Sequence, residues 1–91
     1  MTLKVNEHGS LKWYEIGNDS DTIIRIAHSG QDLFVEFKPG GSGYKYYNVS
    51  SKILQRILKK ECIRQSDGKP SYGATLNKLV LTAGYEFDQY K

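Results

Sequence analysis

Apolar and polar positions alternate along the first half of the chain, and the period changes in the second. Leu3 and Val5 alternate with polar neighbours, His8-Gly9 marks a turn, and Leu11, Trp13 and Tyr14 follow, so residues 2–17 predict a β-hairpin. Asn18-Asp19-Ser20-Asp21 is a turn cluster. The β-branched run from Thr22 to His28 predicts a strand, and Ser29-Gly30-Gln31-Asp32 turns the chain. Leu33, Val35 and Phe37 then alternate with Phe34, Glu36 and Lys38, the period of a half-buried strand. Pro39-Gly40-Gly41-Ser42-Gly43 predicts a loop, and Tyr44 to Val49 a further strand.

From Ser50 the pattern becomes helical. Ser50 and Ser51 are natural N-caps. Ile53, Leu54, Ile57 and Leu58 fall on one stripe, with Lys52, Arg56, Lys59 and Lys60 on the other side. Glu61 would land inside the apolar stripe, so the helix is expected to end or bend near it. Ser66 to Pro70 predicts a loop. Residues 72–83 fit a second helix, capped by Ser71 and stopped at Gly84, although Leu79-Val80-Leu81 fits a strand nearly as well. The pattern leaves Tyr85 to Lys91 unassigned. These elements predict one α+β domain over 1–91: a small antiparallel sheet of three to five strands with one or two helices on one face.

Three groups of residues carry a family resemblance. They are the alternating Leu33-x-Val35-x-Phe37 followed by Gly40, the Tyr44-Lys45-Tyr46 triplet with Val49 three residues on, and Ser71-x-Gly73 with Asn77 and Val80. In these, residues 20–85 resemble the KTSC family, a short domain named for its occurrence at the C-terminus of some lysyl-tRNA synthetases and also found alone in bacterial and phage proteins. Residues 1–18 form a hairpin addition outside the resemblance. The resemblance implies a small antiparallel sheet with helices on one face, and an RNA-binding role of the kind proposed for that family.

Composition narrows the function further. Ninety-one residues leave no room for a cofactor domain beside a substrate domain. No run approaches the roughly 18 apolar residues of a membrane span. No basic head followed by an apolar block opens the chain, and Cys62 is the single cysteine, so a cytoplasmic location is expected. The net charge of +3 is unevenly spread. Residues 37–64 carry seven basic side chains (Lys38, Lys45, Lys52, Arg56, Lys59, Lys60 and Arg64) against Glu61 alone. Such a block attracts polyanions or acidic protein surfaces.

The candidate binding residues follow from that block: Tyr44, Lys45, Tyr46, Lys52, Arg56, Lys59, Lys60 and Arg64. Bases stack on aromatic rings while cations track phosphates, so aromatics interleaved with lysine point to single-stranded nucleic acid. The tyrosines also have a structural reading. If Phe37 lies opposite Tyr44, Tyr44 and Tyr46 join the apolar face; a one-residue slip frees both and buries Tyr47 and Val49 instead. The cations have one too, because lysines keep a helix face solvated.

Nothing points to catalysis, a metal or a cofactor. Gly40-Gly41-Ser42-Gly43 lacks the Gly-Lys-Ser/Thr of a phosphate loop and joins two strands. Asp19 and Asp21 lack the later ligands of a calcium loop. His8 falls in a turn, and no local pattern links Cys62 with His28 as a nucleophile pair. The sequence therefore predicts a non-enzymatic module for RNA or another single strand. The alternative is a phage or mobile-element interaction module whose basic helix docks on an acidic host protein.

Overall fold

The structure, a computed structural model, describes residues 4–8, 11–17, 20, 22–38 and 40–91. Leu3, Gly9, Asn18, Asp19, Asp21 and Pro39, which the sequence puts in the hairpin, turns and loop, lie outside the described residues.

The strands are β1 (Lys4–His8), β2 (Leu11–Glu15), β3 (Ile23–Ser29), β4 (Asp32–Phe37), β5 (Ser42–Tyr46) and β6 (Phe87–Gln89). They form one sheet in chain order, each pair antiparallel. Between β5 and β6 run α1 (Ser51–Leu58), α2 (Tyr72–Leu76) and a π-helical turn, Asn77–Leu81. The expected α+β class is the observed one. β6 arises from the C-terminal segment that the hydrophobic pattern leaves unassigned. Among the described residues no helix is long and apolar enough to cross a membrane.

Alternation decides which residues meet the helices. Leu33 and Val35 of β4 pair with Tyr46 and Tyr44 of β5, so all four point to one face. There they pack with Ile23 and Ile26 of β3, Leu54 and Ile57 of α1, Tyr72 and Leu76 of α2, and Val80. Ile23 and Ile26 are three apart, the wrong spacing for one face of a regular strand. A bulge between Ile23 and Arg25 supplies the extra residue and lets both isoleucines bury.

Several element ends differ from expectation. His8 closes β1 opposite Leu11 instead of turning. β5 starts at Ser42, inside the expected loop, and stops at Tyr46 rather than Val49. There the chain turns at Asn48, whose φ is +59°, and the Val49 amide donates to the Gln31 carbonyl at 2.7 Å. The second helical segment ends at Leu81 instead of 83, with Gly84 beyond it at φ +86°. Residues 79–81 are helical, not strand.

Helix α1 is capped as its sequence dictates. Ser50 is extended, and its hydroxyl accepts from the Lys52 amide at 3.2 Å. At the other end the Lys60 amide donates to Ile57 and the Glu61 amide to Arg56, a Schellman closure with Lys60 in the left-handed region at φ +52°. The helix therefore stops one turn before Glu61 would enter the core.

β6 depends on one glycine. The Tyr90 ring fills the space where a side chain at position 43 would project: a Cβ there would lie 2.6 Å from Tyr90 Cζ. Gly43→Ala should displace Tyr90 and loosen β6, costing about 1–2 kcal/mol. Hydrogen exchange read at the Phe87–Gln89 amides should show lost protection; unchanged protection and melting temperature would contradict this role of Gly43.

Candidate nucleic-acid interface

The exposed side of α1 presents Lys52, Arg56 and Lys59, spaced to lie along one stripe, with Lys60 at its end. Lys52 and Lys59 have no partner among the described residues. The Lys60 ammonium sits 4.8 Å over the Tyr72 ring. Arg56 bonds Glu61 through Nε at 2.8 Å, and Arg64 bonds Asp67 through Nη2 at 2.9 Å. Both of these pairs are exposed.

The helical layer as a whole is cationic. Residues 51–81 hold seven basic side chains against Glu61 and Asp67, a net +5, while all other residues hold six basic and eight acidic ones, a net −2. Lys69 and Lys78, outside the block first singled out, belong to this layer.

The two tyrosines of the triplet lie under the helices. Tyr46 is 5% exposed and belongs to the core, so its ring has no open face for a base. Burial, then the neighbouring Tyr44, pushes its hydroxyl pKa up. Tyr44 is half-buried and meets Phe37, Tyr46 and Phe87 edge-on or tilted, at centroid distances of 5.6–6.4 Å. Phe87, opposite Tyr46 on β6, is 56% exposed and extends this cluster to the surface on the helical side. Sequence reading missed it, although Tyr85 and Phe87 alternate with Glu86 and Asp88 at the period of a strand.

Lys45 and Lys38 stand apart. Lys38 ties a turn, its ammonium donating to the Gly17 and Ser20 carbonyls at 2.6 and 2.9 Å. Lys45 points to the sheet face opposite the helices, where it pairs with Asp32 at 3.6 Å and lies over Phe34 and Tyr47. Neither reaches the α1 surface.

That opposite face closes on itself. Trp13, 4% exposed, lies 4.2 Å beneath the Arg25 guanidinium. Arg25 holds Glu36 across the strand pair with two bonds, Nε to Oε1 at 2.9 Å and Nη2 to Oε2 at 3.0 Å. Tyr90 and Lys91 donate to the same carboxylate at 3.2 and 3.4 Å. Tyr47 donates to Asp88 at 2.6 Å, and that bond raises the Tyr47 hydroxyl pKa. Aromatics and cations are present here, but the cations are already matched by carboxylates. The helical layer is where cations are left over.

No family model matches the chain, and no curated protein matches it.

The Glu36 cluster has a measurable signature. Burial alone would raise this carboxyl, but Arg25, with Lys91 and Tyr90, outweighs burial and holds its pKa below the ordinary 4.5. A carboxylate lowered on folding stabilises the protein above its unfolded value, and the contribution disappears as pH falls through the folded one. Glu36→Gln should lose about 2 kcal/mol at neutral pH and flatten the acid limb of stability below pH about 4.5. Urea melts of both proteins across that range check it, and parallel acid limbs would refute it.

Proposed function

We propose that this protein is a small non-enzymatic binding module that holds RNA or another single-stranded nucleic acid against its helical layer. We further propose that it acts in the cytoplasm and is a divergent member of the KTSC family. The observation that carries the reading is charge segregation: +5 on residues 51–81 against −2 on the rest. A polyanion meets a net attractive charge at the helical segment.

Lys52, Lys59 and Lys60 contact phosphate directly. Arg56 exchanges Glu61 for phosphate at little cost, because an exposed ion pair contributes only about 0–1 kcal/mol, and Arg64, held to Asp67 by two bonds, adds its charge nearby. Phe87 offers an exposed stacking surface on the same side of the sheet, with Tyr44 and Tyr46 as its support. The family reading is supported by how the three matching groups pack: β4 and β5 lie side by side, and Ser71 caps α2, its hydroxyl accepting from the Ala74 amide at 3.2 Å. Gly73 sits where a Cβ would come 3.1 Å from Thr22 Oγ1.

Binding of an unstructured RNA oligomer, titrated between about 50 and 200 mM salt, tests the proposal. Log affinity should fall with log salt by about 0.7 per phosphate contact, so the variant with Lys52, Lys59 and Lys60 all changed to Ala should show a slope shallower by about 2. Phe87→Ala should weaken binding about five-fold or more at an unchanged slope. If the folded protein binds no strand at low salt, the nucleic-acid reading fails. Nuclease-resistant capture of one acidic protein would then favour the adaptor alternative.

A further inference from the structure

We infer that the groove between residues 61–65 and the outer side of residues 73–81 receives an unstacked base of the bound strand. This inference rests on the nucleic-acid reading above and names the subsite that would grip a base rather than a phosphate.

The groove measures about 1030 Å³, just beyond the roughly 300–1,000 Å³ typical of small-molecule sites. Its walls are built before any ligand arrives. Residues 62–71 fold back as a ribbon: Ile63 bridges Pro70, the Arg64 amide donates to the Lys69 carbonyl at 2.8 Å, and the Ser71 amide donates to the Cys62 carbonyl at 3.0 Å. Buried Thr75 pins that ribbon to α2. Its Oγ1 accepts from the Cys62 amide at 2.9 Å and donates to the Ser71 carbonyl at 2.7 Å. A wall fixed in advance loses little freedom on binding.

The lining carries both kinds of contact that a base needs. Ile63 and Leu81 are 59% and 43% exposed, two of the four large apolar side chains left exposed among the described residues. Apolar side chains on either side of a flat ring are how extruded bases are held. Asn77 and Gln65 line the same groove, and their amides have no side-chain partner among the described residues. Each offers one acceptor and two donors to a base edge. The Asn77 carbonyl accepts from the Thr82 amide at 3.0 Å, five residues on, so the helix widens into a π turn at this wall. Such turns are frequent at functional sites.

Charge suits a nucleic-acid strand. Arg64 and Lys78 line the groove, while Glu61, the one carboxylate among its described lining residues, is engaged by Arg56 at 2.8 Å. A base in the groove leaves its flanking phosphates beside cations.

The test compares an RNA oligomer with an abasic strand of equal length, against the full chain and its Ile63→Ala and Asn77→Ala variants. Both residues are exposed, and unchanged melting temperatures confirm folded variants. The RNA should bind more tightly than the abasic strand, and each variant should lose about five-fold or more on RNA alone. Equal binding of the two strands by the wild type, or variants indistinguishable from it on RNA, overturns the base subsite and leaves phosphate binding standing. Binding of neither strand overturns this inference together with the function it rests on. Poly-glutamate bound with the same dependence on Ile63 and Asn77 overturns it in favour of a protein ligand.

Discussion

The pairing of Leu33 with Tyr46 and of Val35 with Tyr44 determines what the rest of the molecule can be. Side chains alternate across a strand, so this register sends five large side chains of β4 and β5 under the helices and their neighbours, Phe34, Glu36 and Lys45, to the other face. A one-residue slip of β4 against its neighbours would turn Glu36 toward Ile26, Leu54 and Ile57 and away from Arg25. The observed register gives Glu36 the Arg25 fork instead. Burial of an unpaired carboxylate costs far more than the pairing difference between two strand registers, so electrostatics and packing select the same alignment.

Across the sheet, the row Glu15–Arg25–Glu36–Gly43 shows how one face is completed without a covering layer. Arg25 roofs Trp13, Glu36 anchors Arg25, and the gap over Gly43 admits Tyr90, whose hydroxyl returns to Glu36. Burial and the Glu36 charge push that hydroxyl's pKa well above its usual range, so it remains a donor throughout the working range of pH. The face consumes its own charges. The helical layer has seven cations and two carboxylates in its own segment. A net charge of +3 therefore conceals an uneven distribution, +5 on residues 51–81 against −2 on the rest.

Much of this arrangement is legible in the sequence wherever a period is long enough to repeat. Ile53, Leu54, Ile57 and Leu58 mark the inner stripe of α1, and Leu54 and Ile57 are its buried residues. Leu33, Val35 and Phe37 mark the inner face of β4. What escapes is set by contacts distant along the chain. The side to which Tyr44 and Tyr46 point depends on a pairing that the Gly-rich loop leaves open. β6 pairs with residues over forty positions away, and three residues are too few for a period to announce themselves. Lys45 looks like part of a basic run until the sheet turns it toward Asp32. The ribbon at 62–71 is invisible as a pattern because Thr75, one polar side chain, organises it.

Lys60 joins these threads. A left-handed residue at the end of a helix is usually glycine, and an ordinary side chain there costs roughly 1–2 kcal/mol. The cation over Tyr72 offsets part of that, about 0.5–1 kcal/mol. A glycine would close α1 equally well and keep Glu61 out of the core, so helix termination does not by itself call for lysine. What lysine adds is a positive charge between the exposed stripe of α1 and the ribbon that follows, held against the helix that forms the other wall of the groove. The left-handed turn thus fixes where this cation stands, over Tyr72 at the junction of α1 and the ribbon.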